Sequence, residues 1–100
     1  MPVLIPSRKF LEDIESFRLD KAMEKKLAKA LRYLQDNPFH PGLNLEKIAN
    51  DPTAWAIRLD RKYRVSLEPE SYMPSGNPDW AGNILLLRLL SHDDLYKHPR

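Results

Sequence analysis

The sequence contains no cysteine and only three glycines in 100 residues. Without cysteine there is no disulfide scaffold, no thiol nucleophile and no cysteine-ligated zinc or iron–sulfur centre. A glycine-rich phosphate loop, a G-x-S-x-G elbow and a paired-carboxylate signature are missing as well. No apolar run approaches the length of a membrane span; the longest, Ile84 to Leu87, is interrupted by Arg88 before Leu89-Leu90. The start, Met1-Pro2-Val3-Leu4-Ile5-Pro6, lacks the apolar core of a secretory leader, so a cytoplasmic protein with no membrane partner is expected. Charge of one sign is not in excess either. Sixteen basic and fourteen acidic residues leave a net charge of +2, so no uniform basic field points to nucleic acid.

What is present is globular in composition, with 42% hydrophobic and 30% charged residues, and its length suits a single domain over residues 1–100. Nine prolines imply stiff, short connections. Val3-Leu4-Ile5, closed by Pro6, reads as a brief strand, and Ser7 as a helix cap whose hydroxyl accepts an orphan N–H of the first turn. Phe10, Leu11, Ile14 and Phe17 form a helical stripe. It breaks at Arg18-Leu19-Asp20, with Asp20 a second cap candidate. Met23, Leu27, Ala30, Leu31 and Leu34 form the next stripe, with Lys25, Lys26, Lys29 and Arg32 on the wet faces; it ends at Asn37-Pro38 because proline disfavours helix in the residue before it. Two antiparallel helices joined by a tight turn are predicted. Around Leu45, Ile48 and Ala49 a helical turn and a short extended piece fit equally well.

From Thr53 the period becomes two. Trp55, Ile57 and Leu59 share one face, and after Arg61-Lys62 so do Tyr63, Val65 and Leu67. A two-residue loop would pair Leu59 with Arg64 and mix the faces, because one step of slip flips every side chain. A three-residue loop, Asp60-Arg61-Lys62, keeps the apolar face whole and sets Arg58 opposite Arg64. Pro69 to Gly82, with Tyr72 and Trp80, is then a long acidic loop, and loops of that length are often functional. Asn83 to Leu90 is apolar on both faces and reads as a central covered strand. Ser91, with Asp94 three residues on, caps a terminal helical turn.

Chemistry concentrates in two places. Arg58 and Arg64 repel each other across a sheet, and an anion between them is a natural reason to keep them, since guanidinium forks match phosphate geometry. The alternative is a solvated hairpin face on which Asp60 or Glu68 neutralises the arginines. The hairpin carries Arg58, Arg61, Lys62 and Arg64 against Asp60 alone. His92 and Tyr96, four apart on the terminal turn, share a face and suit acid–base work; a capping-turn histidine and a packing tyrosine are the plain alternative. His40, His92 and His98 are too scattered for a metal site, so none is expected. Trp55 reads as core; Trp80, in the loop, is harder to place and is a candidate partner contact.

The helical hairpin ending Ala30-Leu31-Arg32-Tyr33-Leu34-Gln35-Asp36-Asn37-Pro38 runs into His40-Pro41-Gly42-Leu43, then Trp55-Ala56-Ile57-Arg58-Leu59, Tyr63-Arg64-Val65 and Ser91-His92-Asp93-Asp94-Leu95-Tyr96. In that order and over nearly the whole chain, these motifs resemble the RelE/ParE superfamily of type II toxin–antitoxin toxins, its small RelE-like members in particular. The resemblance implies an α+β fold, a two-helix hairpin on a small twisted, mostly antiparallel sheet in the order β-α-α-β-β-β with a short helical turn at the end. It implies a ribosome-dependent, metal-independent mRNA endoribonuclease without cofactors, in which the 2′-hydroxyl attacks the adjacent phosphate. Arg58 and Arg64, with Arg61 and Lys62, then hold RNA phosphate, while His92 and Tyr96 move protons or stack on a base and Arg64 joins them in catalysis. The implied partners are a cognate antitoxin protein, the ribosome and mRNA, in a homodimer or a toxin–antitoxin hetero-oligomer. The resemblance equally covers non-catalytic relatives: ParE-like members that poison DNA gyrase, and inactive ones that only bind other proteins. The chain departs from RelE itself at Ala56, where that protein has a second strand lysine, and in its longer 69–82 loop.

Overall fold

The computed structural model describes residues 2–17 and 21–100. The predicted tight turn between the helices, and the Asp20 cap with it, lie outside the described residues. Strand β1 (Leu4–Pro6) leads into α1 (Arg8–Phe17), then α2 (Lys21–Asp36) and a short 3-10 turn at Pro41–Leu43. Strands β2 (Glu46–Lys47), β3 (Trp55–Arg58), β4 (Tyr63–Pro69) and β5 (Ile84–Ser91) follow, and α3 (His92–Lys97) closes the order. The sheet runs β1-β5-β4-β3-β2, with β1 parallel to β5 and the other pairs antiparallel. This is the predicted α+β architecture with one strand added. The segment that fitted both helix and strand is extended: Glu46–Lys47 pairs with β3, and Ile48 is buried beside it. None of the described helices is long and apolar enough to cross a membrane.

Two apolar cores lie on opposite faces of the sheet. On the helix face, Phe10 of α1 and Leu27, Ala30 and Leu34 of α2 cover Ile57, Val65, Leu67, Leu86 and Leu89. On the other face, Leu95 of α3 packs with Ile48, Ala54 and Ala56. Strand β5 serves both because of a bulge: Ser66 pairs with Arg88 but Leu67 pairs with Leu86, so Leu87 is the extra residue. An extra residue shifts the alternation by one. Leu86 and Leu89, three apart, are thereby both buried on the helix face.

Helix α1 begins where predicted, with the Phe10 N–H donating to the Ser7 hydroxyl at 3.1 Å. Its inward stripe differs from the expectation. Leu11 is exposed, and the third inward position is Asp13, which is 8% exposed. Beyond the end of β1, the edge of β5 would present unpaired backbone to α1. There Ser7 donates its N–H to the Leu86 carbonyl and its hydroxyl to the Leu87 carbonyl, while Asp13 accepts the Leu89 N–H at 2.9 Å. The same carboxylate takes Arg88 Nε at 2.8 Å and Nη2 at 3.0 Å. An acid at an apolar helix position and a base inside an apolar strand were the signals of this pair.

The long connection is shorter and more ordered than expected. Pro69 belongs to β4, and the hairpin continues past it through Glu70 N–H to Asn83 O, Asp79 N–H to Ser71 O, and a Tyr72–Pro78 bridge. Its tip turns at Gly76, whose φ of +92° is a left-handed conformation open to glycine. Trp80 is not a free contact residue: it packs edge-on against Trp55, ring centroids 5.3 Å apart, and against the helix-face core.

Candidate phosphate and acid–base site

The hairpin register places the arginines as predicted. Trp55 faces Leu67, Ile57 faces Val65, and Arg58 stands opposite Arg64. The Leu59 N–H donates to the Tyr63 carbonyl at 3.1 Å, closing the three-residue loop Asp60-Arg61-Lys62. Asp60 builds this turn. Its Oδ1 accepts the N–H groups of Lys62 and Tyr63, and its Oδ2 accepts Lys26 Nζ at 3.2 Å from α2. Burial alone would raise the Asp60 carboxyl, but those N–H groups and Lys26 outweigh it and hold it below the usual range.

The Asp60 carboxylate is therefore engaged elsewhere and does not neutralise the arginines. Glu68 does not either: its carboxylate meets Arg100 and accepts the Thr53 hydroxyl at 2.9 Å. Among the described residues, neither Arg58 nor Arg64 has a carboxylate partner. Both guanidinium groups converge on one neutral acceptor, the Asp60 backbone carbonyl, Arg58 through Nε at 3.3 Å and Arg64 through Nη1.

Pairing of β4 with β5 sets Tyr63 against Ser91, and the His92 N–H donates to the Lys62 carbonyl at 2.7 Å. The hairpin tip and the start of α3 are thereby fastened together. Ser91 caps α3 through its hydroxyl, which accepts the Asp94 N–H as expected. The result is an open depression of about 590 Å³ lined by Arg61, Lys62, Arg64, Ser91, His92 and Asp93. Of the predicted residues, Arg61, Lys62, Arg64 and His92 meet there, and Tyr96 adjoins them: its ring lies 4.7 Å from the His92 ring. Arg58 lies at the flank, lining instead a groove toward α2. His92 Nδ1 faces the Asp93 carboxylate at 3.3 Å. His40 and His98 are elsewhere: the His40 ring is stacked on Tyr33, and His98 ends α3.

One participant was missed. The Tyr96 hydroxyl donates to the Glu46 carboxylate, across from the two-residue strand that sequence periodicity left undecided. Burial pushes the Tyr96 phenol up to about 12, and the Glu46 hydrogen bond and charge add to this, while Arg64 pulls the other way. Tyr96 is thus a neutral donor at physiological pH, held between an acid and a base. No spacing rule links positions 46 and 96; only the pairing of Glu46 with Ala56 beneath α3 does.

A second staple holds the tail that follows α3. The Ser66 hydroxyl donates to the Pro99 carbonyl at 2.7 Å, and Arg100 binds Asp51 through Nε at 2.6 Å and Nη2 at 2.9 Å. The Arg100 guanidinium holds the Asp51 carboxyl at about 2, against the raising effect of burial, with the Thr53 and Ala54 N–H groups assisting.

No family model and no curated protein matches the sequence. Solved structures do match the fold. A YoeB/ParE toxin from Agrobacterium tumefaciens superposes with a TM-score of 0.70 at 16% identity, over 90% of this chain and 98% of that one. The DinJ–YafQ complex from E. coli gives 0.67 at 11% identity, over 95% and 98%. The RelB–RelE antitoxin–toxin complex from Methanococcus jannaschii gives 0.62 at 16% identity, over 94% and 96%. What is shared at these identities is the arrangement of helices and strands, and the chain has the fold of the RelE/ParE-like toxins of toxin–antitoxin systems.

Proposed function

We propose that this chain is the toxin of a bacterial toxin–antitoxin pair and cleaves mRNA on the ribosome. The observation that carries the reading is the Arg58–Arg64 pair, opposed across the hairpin without a carboxylate, beside His92, Tyr96 and Glu46. Transesterification needs one group to take the 2′-hydroxyl proton and another to protonate the departing 5′-oxygen, with cations on the phosphorane between them. Arg64 and Arg58 supply the positive charge, and Arg61 and Lys62 hold flanking phosphate. His92 is the proton carrier suited to neutral pH. It takes the 2′-hydroxyl proton and returns it to the departing 5′-oxygen, while Tyr96, hydrogen-bonded to Glu46, keeps its own proton and orients the ribose or stacks on a base. The reaction uses no cofactor. A cognate antitoxin would silence it in the cytoplasm, a partner supported by the two toxin–antitoxin complexes that share the fold.

The test is induction of the wild-type chain, His92→Ala and Arg64→Ala, with mRNA ends mapped on translating ribosomes. Cuts within codons, lost in both variants, are expected. Growth arrest with intact mRNA and damaged DNA would replace this reading with a gyrase poison, and no arrest would leave an inactive binding module.

A further inference from the structure

A groove of about 310 Å³ runs between α2 and the outer edge of β3, lined by Lys26, Lys29, Tyr33, Leu43, Arg58 and Leu59 among others, with no acidic side chain in its wall. Strand β2 covers β3 only at Trp55 and Ala56, so the edge at Arg58 is left to this groove. Its aromatic wall is fixed. The Tyr33 ring is stacked on His40 at 3.9 Å and 15°, and His40 Nδ1 is anchored by the Gly42 N–H at 2.9 Å. Lys29 Nζ lies 5.6 Å from the Tyr33 ring centre. Lys29 and Arg58, with Lys26 shared with the Asp60 carboxylate, give this groove a charge that can track a nucleic-acid backbone. Arg58 joins this groove to the Arg64–His92 depression, because both arginines meet on the Asp60 carbonyl.

We propose that the α2–β3 groove is a second subsite for single-stranded RNA, holding the backbone of nucleotides that flank the one at Arg64. The proposal rests on the reading that the Arg64–His92 depression takes RNA phosphate. It also gives Lys29 a role that a merely solvated helix face lacks. An acidic peptide would also satisfy these cations, but the continuity of the groove with the Arg64–His92 depression through Arg58 favours RNA as the occupant.

Fluorescence anisotropy with the full chain carrying His92→Ala tests it, using labelled single-stranded RNAs of about three and about twelve nucleotides, the range over which a second subsite is reached. Adding Lys29→Ala is expected to weaken the longer RNA about fivefold, and to reduce the slope of log affinity against log salt by about 0.7, the value of one lost phosphate contact. The short RNA should lose less than twofold. Equal effects on both lengths, or none on either, overturn the subsite. If Arg64→Ala abolishes short-RNA binding while Lys29→Ala spares the long RNA, the subsite falls and the catalytic reading stands. If neither RNA binds the parent protein, the subsite falls, and the cleavage reading is judged by the mRNA ends mapped on translating ribosomes. Oligoglutamate that binds more tightly than the long RNA, and loses affinity with Lys29→Ala, overturns the subsite in favour of an acidic protein partner.

Discussion

Asp13→Ala should be among the most damaging single substitutions in the molecule. Asp13 accepts two hydrogen bonds from Arg88 and one from the Leu89 N–H, with side-chain exposures of 10% for Asp13 and 19% for Arg88. Truncation leaves a guanidinium with little access to water and a buried N–H with no acceptor. Breaking one side of a buried pair costs about 3–5 kcal/mol. The lower end applies here, because Arg88 sits at the sheet edge and keeps a bond of 3.4 Å to the Arg100 carbonyl. About 3 kcal/mol is a large share of the roughly 5–15 kcal/mol that holds a domain folded. At about 4–8 °C per kcal/mol for a chain of this size, melting should fall by about 12–24 °C. Thermal unfolding by circular dichroism measures this directly. The exposed Arg8–Glu12 pair, at 93% and 62% side-chain exposure, is the internal control. Glu12→Ala should cost less than about 0.5 kcal/mol. In the double variant Asp13→Asn with Arg88→Met, the amide still accepts the Leu89 N–H and no charge is stranded. Its stability should return to within about 1 kcal/mol of wild type. If Asp13→Ala costs no more than Glu12→Ala, or the double variant is as unstable as the single, the account of this pair is wrong.

Arg100→Ala should cost about 1–2 kcal/mol at neutral pH, less than the full Asp51 shift implies because Arg100 is 44% exposed. The Asp51 carboxyl is lowered from 3.8 to about 2, so its contribution is complete above about pH 4 and disappears as pH falls toward 2. Melting curves of wild type and variant should converge over that window; a gap that stays constant with pH would refute the assignment. Arg58→Gln should leave stability unchanged or raise it by up to about 0.5 kcal/mol at low salt, because it removes a like-charge opposition. Added inorganic phosphate should raise the melting temperature of wild type more than that of Arg58→Gln, and equal increments would argue against an anion between the arginines.

How far the sequence was legible depended on the range of the interaction. Alternation over Trp55–Leu59 and Tyr63–Leu67 was enough to place Arg58 opposite Arg64, because any other register would bury charge and expose the apolar face. The caps at Ser7 and Ser91 were equally local. Glu46 was not legible, since Leu45, Ile48 and Ala49 suit either period and a two-residue strand carries no pattern of its own. The Arg100–Asp51 and Arg100–Glu68 contacts join positions far apart in the chain, and neither has a periodic signal. Trp80 could not be placed from the sequence because it stands in a loop by composition, whereas the ordered hairpin returns it to Trp55. The bulge at Leu87 explains the two-sided apolar character of β5 better than burial of a regular strand would.

The sequence left two readings of the arginine pair, a phosphate site and a solvated face neutralised by Asp60 or Glu68, and the carboxylate positions speak against the second. Each acid near the pair has other work. Asp60 closes the turn and holds Lys26; Glu68 meets Arg100 and Thr53; Glu46 takes the Tyr96 hydroxyl. Farther along the sheet, Asp13 is committed to Arg88 and Asp51 to Arg100. A sheet selected for stability alone would place one of these acids against Arg58 or Arg64, since opposite charges across strands gain what like charges lose. Their diversion leaves two guanidinium groups on a shared carbonyl, flanked by an imidazole and a protonated phenol. The net charge of +2 therefore averages over a cationic centre at the hairpin tip, and the proposed phosphate site rests on that centre.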